Sequence, residues 1–550
     1  MMINRMGLSS AYTRRRMEVI LIIFSTVVGL VILMAGMFSG KEGAASGLEN
    51  PDVTAQASAM PVQGWAPLMV YYSAFGSHAQ DAQIVRYEWD LDGNGQFDFD
   101  ATDIRGYANY LYSKPGDYTI TLRVTDDQGR FSSDSVLVNV RHPASSSVDY
   151  WTVFDDTRVR RIDILLQQAD WDQMWDDPET KYQAKADAII FDERMENVGF
   201  SMRGQFSMRE SGEKKPWKID LDAYIDGQEY RNLRQLLLIN NIGDPSMLRE
   251  KLAYEMLAFA GLPSSHVAFV ELWIDVIDDS EPALYWGVYT LVERVDNKYL
   301  NNRFGRDSKG GNLYKASHAQ RGPMDLIYYG ESITDYPTQN GSYAYGKMNN
   351  EEDNDYSDIV DLCRVVDGTQ YASEDELIQA LESVINVDSF LRYMAVITIL
   401  DNWDAYPNTG NNYYLFNNSL SERFEWIPWD MAWGENAQAS IFPTSGSEMI
   451  QRAPLLDQVF GVESYRSQYL AYVDLLLRYW FNAENVSEQA ERYYDLIAPY
   501  WTQATGDKAF FGNQPMFPVE VSENSWVSLM NFASNRNQFL REALANEIQP

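Results

Sequence analysis

Between Ala66 and Val140, apolar and polar residues alternate in four short runs, Leu68–Tyr72, Ile84–Trp89, Tyr118–Val124 and Ser135–Val140. Turn sequences such as Lys114-Pro115-Gly116-Asp117 and Asp126-Asp127-Gln128-Gly129 separate them. A period of two buries one face of a sheet and no face of a helix, so this stretch is restricted to a β-sandwich of under about 100 residues. Beyond residue 150 the pattern is mixed. Arg161–Leu166, Ala188–Phe191, Trp217–Leu221 and Phe269–Ile274 read as strands, whereas Leu248–Ala260 reads as a helix. That helix has Asp244 as N-cap, Pro245 at its first position, Gly261 just past its end and Pro263 beyond. The larger part of the chain is therefore α+β, and no repeat of fixed period is visible.

Disulfides and thiolate-bound metals do not hold this fold. The 550 residues include one cysteine, Cys363, and four scattered histidines, which excludes a disulfide framework, a thiolate cluster and a His-based triad. Hydrophobic residues make up 45% of the chain, with 15 Trp and 35 Tyr, enough for a large core and against disorder. The formal net charge of −35 opposes general nucleic-acid binding, which needs clustered Lys and Arg to neutralise phosphates. Chemistry, where present, falls to carboxylates and amides.

The N-terminus carries an address. Val19–Gly40 is an uncharged, mostly apolar run of 22 residues preceded by Arg14-Arg15-Arg16, long enough to cross a bilayer of about 30 Å. The positive-inside rule predicts a cytoplasmic segment over 1–16, a signal-anchor over 17–40 and the bulk of the chain outside. A cleaved and secreted form is the competing reading, because Ala55-Gln56-Ala57 and Ala57-Ser58-Ala59 resemble cleavage sites, but they lie well past the apolar run. The domain plan that follows is a linker over 41–63, a β-sandwich over 64–141, a Ser-rich linker over 142–150 and one large domain over 151–550.

Two acidic motifs carry the chemical signal, Asp401-Asn402-Trp403-Asp404 and Pro428-Trp429-Asp430, with Gly410-Asn411-Asn412 between them. Val387–Leu400 is apolar nearly all round and delivers the first motif from the end of a core helix. An acid there can orient an attacking hydroxyl, while Asn412 and Asp430 offer the oxygens Mg²⁺ prefers, which is the layout of phosphoryl transfer. Arg203-Gly204-Gln205-Phe206-Ser207 precedes a strand on which Lys218 alternates with Trp217 and Ile219, so Lys218 can neutralise phosphates. On the helix that follows, either Glu250 or Glu255 can reach a strand lysine. Trp286–Asp296 reads as a buried strand running into an acidic stretch that includes Glu293, and Lys315 is a second candidate phosphate contact. In the sandwich, Asp90, Asp92, Asn94 and Asp98 space oxygens around a glycine turn as a calcium loop does, with Ala101 where a bidentate Glu would stand. A weak Ca²⁺ site and a structural Asp/Asn turn both fit.

Tyr87-Glu88-Trp89-Asp90, Lys114–Tyr118 and Val124–Gly129 resemble the PKD domain, an Ig-like module, which implies a spacer or a contact with surface proteins or polysaccharide. Arg203-Gly204, Lys214–Leu221, Asp244–Tyr254, Tyr285–Asp296, Gly311–Lys315, Asn402–Asp404, Asn411–Phe416 and Pro428–Asp430, taken in order over residues 160–540, resemble the CotH kinase family of spore-coat-protein-H-like atypical protein kinases. The resemblance implies a divergent protein-kinase-like fold that transfers phosphate from ATP, with Mg²⁺ or Mn²⁺, to protein Ser or Thr. It makes Asp404 the catalytic acid, Asp430 and Asn412 the metal ligands, Lys218 the phosphate-binding lysine and Glu250 its partner, with Arg203 and Glu293 at the nucleotide. The usual glycine-rich loop is absent, Arg203–Ser207 standing in its place, and Ala432 occupies a position where similar proteins have a second acid.

The competing function is a non-catalytic surface protein that binds carbohydrate or coat partners through the sandwich and a degenerate kinase-like domain. Glycoside hydrolysis by paired carboxylates fits poorly with the intervening amide and the lysine strand.

Overall fold

A computed structural model of the chain describes residues 51–547, apart from 142–149, 151, 211–213, 245, 279–280, 306–307, 309, 432, 504–509, 512–513 and 516–518. Residues 49–550 form one compact unit. The alternating runs build two sheets of a sandwich. One has five strands in the order Gln63–Trp65, Phe131–Arg141, Gly116–Asp126, Ile84–Asp90, Phe99–Asp100, and the other three, in the order Ser58–Met60, Leu68–Ser73, Ala108–Tyr112. Between the sheets lies Trp89, fully buried, whose indole donates to Gly106 O at 3.0 Å. Tyr112 donates to Leu91 O at 2.7 Å, so the aromatic core also closes its polar atoms. The sandwich starts earlier than the expected linker boundary, because residues 53–54 and 58–60 are already strands.

The next seven strands close into a barrel, in the order Arg160–Leu166, Ala184–Ile190, Glu193–Met202, Trp217–Asp220, Gln235–Ile239, Leu284–Val292, Val267–Val276. Closure comes from the parallel pairing of the first strand with Val267–Val276, Ile162 opposite Leu272. Period-two alternation turns Phe200, Trp217 and Tyr289 inward, with Phe200 and Trp217 stacked at 4.6 Å between ring centroids. The helix predicted over Leu248–Ala260 spans Arg249–Phe259. Asp244 does not stand next to its first turn as an N-cap, yet its carboxylate still accepts the Arg249 N–H at 2.9 Å across an intervening turn.

A four-stranded sheet follows, in the order Gly346–Lys347, Leu313–Lys315, Tyr413–Asn418, Arg423–Pro428. It packs on the helix Val387–Ile399, which is buried along almost its whole length, as its all-round apolar sequence predicts. The helical stretch around 470–491 is two helices, Glu463–Tyr479 and Ala483–Gln503, and the last helix is Val519–Glu547. The chain is thus α+β with an Ig-like sandwich at its N-terminal side.

One expectation is corrected. The single-pass membrane localisation does not stand: among the described residues no helix is long and apolar enough to cross a membrane, and the 17–40 segment expected to supply one lies outside the described residues. The sandwich packs against the larger domain. Tyr71 stacks on Tyr479 at 4.4 Å, Tyr107 donates to Asp474 Oδ2 at 2.7 Å, and Met60 belongs to the core of the larger domain.

Candidate functional site

The core helix ends at Leu400, and Asp401 takes a left-handed backbone (φ 53°) that turns the chain outward. Three residues later Asp404 meets the loop before the strand Tyr413–Asn418. Asn412 Nδ2 donates to Asp404 Oδ2 at 2.9 Å and to the Asp404 carbonyl at 3.0 Å, and Asn411 Nδ2 reaches Asp404 Oδ1 at 3.4 Å. Because its amide hydrogens are committed to Asp404, Asn412 presents its Oδ1 as a separate acceptor. Gly410 makes the loop possible: it sits at φ 60°, and a Cβ there would lie 2.9 Å from Pro323 Cβ.

Asn412 O accepts the Trp429 N–H at 3.2 Å, which brings the second acidic motif alongside the first. Asp430 follows, its N–H donating to Tyr254 Oη at 3.1 Å, so the 249–259 helix touches the same point. Asn412 and Asp430 both have left-handed backbones, at φ 60° and 52°. For non-glycine residues that conformation costs free energy and persists where surrounding structure enforces it, commonly at functional sites.

The charges around Asp430 act on one another. Protein surrounds its carboxyl on most sides while one side stays exposed, the environment of a cleft floor rather than of a sealed core. That enclosure raises its pKa, as does Asp404, with Arg203 and Lys315 opposing. Glu250 is pushed up to about 8 by burial and by Asp430, against Arg203. Lys315 is brought down to about 8 by burial and then by Arg203, against Asp430. Its ammonium sits 5.3 Å from the Tyr414 ring centroid and 5.5 Å from that of Trp429. Arg294 adds positive charge next to Lys315 and Tyr414. It also lines a polar cavity of about 700 Å³ together with Asp220, Gln235, Asp296, Lys298 and Phe416.

A family model for "CotH kinase protein" matches residues 200–540, and one for "PKD domain" matches residues 53–140. The chain belongs to the CotH kinase protein family. Among curated relatives, this CotH chain is 26% identical over 229 residues to "Inner spore coat protein H" of Bacillus subtilis (strain 168), covering 40% of this chain and 56% of that protein. It is 23% identical over 243 residues to "Invasin CotH2" of Rhizopus delemar, covering 42% and 38% respectively. The aligned region thus spans little over half of the first relative and less of the second. Among solved structures, the PKD1 domain of Vibrio anguillarum Epp is 29% identical and covers 17% of this chain and 100% of its own, with a TM-score of 0.14.

Within the CotH domain the structure brings together Arg203, Glu250, Asp404, Asn412 and Asp430, and it leaves two expected residues elsewhere. Lys218 lies on the outer face of the barrel, its Nζ 3.2 Å from Asp220 Oδ2 and 3.0 Å from Gln183 Oε1, so it is not the partner of Glu250. Trp217 takes the inward position, and alternation sends Lys218 out. Glu293 is buried on the far side of its strand end, accepting from Arg303 at 2.7 Å and from the His266 N–H at 3.0 Å. Glu255 is bound to Lys251 at 2.9 Å, which leaves Glu250 as the glutamate of this helix that faces the cleft. Tyr254 and Arg294 were not anticipated. Tyr254 lies one helical turn after Glu250, a spacing that places both on one face.

The residues of the possible calcium loop bond to the main chain of their own turn. Asp90 accepts main-chain N–H groups of Gly93, Asn94 and Gly95 at 2.9, 3.1 and 2.7 Å, Asp92 accepts that of Asn94 at 3.1 Å, and Asn94 accepts that of Gln96 at 2.8 Å. Asp98 is exposed on the same turn. This is an Asx-turn arrangement. Among the described residues no group of three or more His, Cys, Asp or Glu side chains is gathered as a metal site. Asp430 and the Asn412 Oδ1 are the side-chain oxygens here that could hold a cation, few enough to leave places for the oxygens of a ligand.

Proposed function

We propose that this protein is an atypical protein kinase of kinase-like fold that transfers the terminal phosphoryl group of ATP to Ser or Thr of coat or surface proteins. The observation that carries this reading is the joined set Asp404, Asn412 and Asp430, with the cations Arg203 and Lys315 beside the exposed carboxylate. Asp404 accepts the hydroxyl hydrogen of the acceptor and aims its oxygen, and the Asn412 amide holds that carboxylate in place. Arg203 and Lys315 take phosphate oxygens, and Glu250 keeps Arg203 oriented. Asp430 and Asn412 would hold Mg²⁺ or Mn²⁺, which when bound screens the phosphate charge. The cavity at Arg294 offers room for the nucleoside next to these cations.

The test is phosphoryl transfer from ATP with Mn²⁺ or Mg²⁺ to the protein itself and to Ser-rich acceptors. Asp404→Asn and Asp430→Ala should each lower the rate at least ~100-fold, the scale of removing a positioned base or a main electrostatic contact. No transfer by the wild type, or equal transfer by the variants, would overturn the reading. The names of the relatives, a spore coat protein and an invasin, favour one alternative, a binding protein that has kept the fold. Tight binding of a surface partner by a chain that does not bind ATP would favour it.

A further inference from the structure

Away from the cleft, the junction between the sandwich and the CotH domain encloses a cavity of about 200 Å³, walled by Gln63 and Arg141 on one side and by Ala258, His266, Asn302 and Arg303 on the other. Arg141 donates to Gln63 Oε1 at 2.7 Å, to Asn139 Oδ1 at 3.0 Å and to the Arg303 carbonyl at 2.7 Å. All three partners are neutral. Among the described residues no carboxylate lies within ion-pair distance of Arg141; after burial the strongest influence on it is the second guanidinium, Arg303, which Asp117 and Glu425 oppose more weakly from further away. Arg303 itself donates to Glu293 and to the Ser264 carbonyl. Among the described residues Asn302 Nδ2 is a buried donor without a hydrogen-bond partner, and burial keeps His266 neutral.

A half-buried guanidinium beside a second one, with carboxylates acting on it only from a distance among the described residues, is costly, and a buried amide hydrogen without an acceptor adds to the cost. Both penalties are relieved by one occupant with negative charge and several acceptor oxygens. We propose that this cavity is a binding site for a small oxyanion, phosphate or carboxylate, held by Arg141 and Asn302 beside Arg303. The volume admits a small ion or metabolite and no folded partner. A planar guanidinium matches either class of anion in a two-pronged fashion. The occupant would tie the sandwich to the helix Asn297–Phe304, which carries both Asn302 and Arg303.

The experiment is a titration of the full chain with inorganic phosphate, and with acetate in parallel, at constant ionic strength, read by calorimetry and by thermal shift. To silence the cleft, the same titrations use Arg203→Gln combined with Lys315→Gln. Saturable binding is expected for at least one anion, and the preferred one distinguishes a phosphoryl from a carboxylate ligand. It should persist in the cleft variant and weaken about ten- to a hundredfold in Arg141→Gln, the effect of losing a charge-assisted pair. Ala258→Glu places a carboxylate at an exposed position on the cavity wall and should weaken binding without touching the core, so it decides the matter where Arg141→Gln fails to fold. No saturable binding of either anion, binding lost in the cleft variant, or binding unchanged by Ala258→Glu would each overturn the proposal.

Discussion

Lys315 shows how the cleft sets the charge of a single side chain. Burial and the neighbouring Arg203 bring it down to about 8, with Asp430 opposing. It is therefore a cation below that pH and neutral above, whereas an ordinary lysine titrates near 10.4. Glu250, raised to about 8, loses its proton over the same interval, so both changes make the cleft more negative as pH rises. Affinity for a non-hydrolysable ATP analogue should fall about tenfold from pH 7 to pH 9, because only about a tenth of a group with pKa 8 remains protonated at pH 9. In Lys315→Arg the fall should be much shallower, since a guanidinium stays charged throughout. Calorimetry across that range checks this, and an equal slope in the variant would remove Lys315 from the phosphate site. At this scale, Asp404, Asn412 and Asp430 were readable because a few residues of chain and one pair of adjacent strands bring them together. Lys218 was misread for a local reason: alternation says that it opposes Trp217, but only closure of the barrel decides which of the two faces the interior.

Among the elements, the helix Val387–Ile399 depends on a residue far away in sequence. Arg536, fully buried on the last helix, donates to Thr398 O at 2.6 Å and Ile399 O at 3.3 Å, and also to the carbonyls of Ala437 and Ala439. One guanidinium thus satisfies the C-terminal carbonyls of the helix that delivers Asp404 and fastens the loop that follows Asp430. Arg536→Met should destabilise the protein by about 2–4 kcal/mol, the cost of leaving two or more buried acceptors unpaired. Arg536→Lys should recover less than half of the loss, because an ammonium does not span both segments. Thermal and urea unfolding of the three proteins measure it. The helices themselves were legible from their apolar periodicity, as Val387–Leu400 shows. Ends were less so: Asp244 and Pro245 form a start signal, yet the chain makes a further turn before Arg249, and tertiary contacts of Leu248 and Met247 with the core outweigh local capping preference. Nothing near Arg536 in sequence marks its role, since its four acceptors come from two distant segments.

For the molecule as a whole, the sandwich and the CotH domain share an interface in which Tyr71 and Tyr479 stack and Arg478 lies 3.6 Å from the Tyr107 ring centroid. Tyr479→Asp should loosen this contact, seen as an increased radius of gyration in X-ray scattering and a Tm lowered by several degrees, about 2–4 °C per kcal/mol lost. An unchanged scattering curve would mean that these rings do not hold the two parts together. A docked sandwich was not legible, because the Tyr residues that make the contact look like any partly exposed strand or helix aromatic until both surfaces exist. The closed barrel carries a different consequence. Its first strand is paired on both sides, so it offers no open row of main-chain donors and acceptors on which another polypeptide could extend the sheet. Neither a client protein nor a misfolded neighbour can attach there by β-augmentation, and recognition at that end of the molecule is left to side chains.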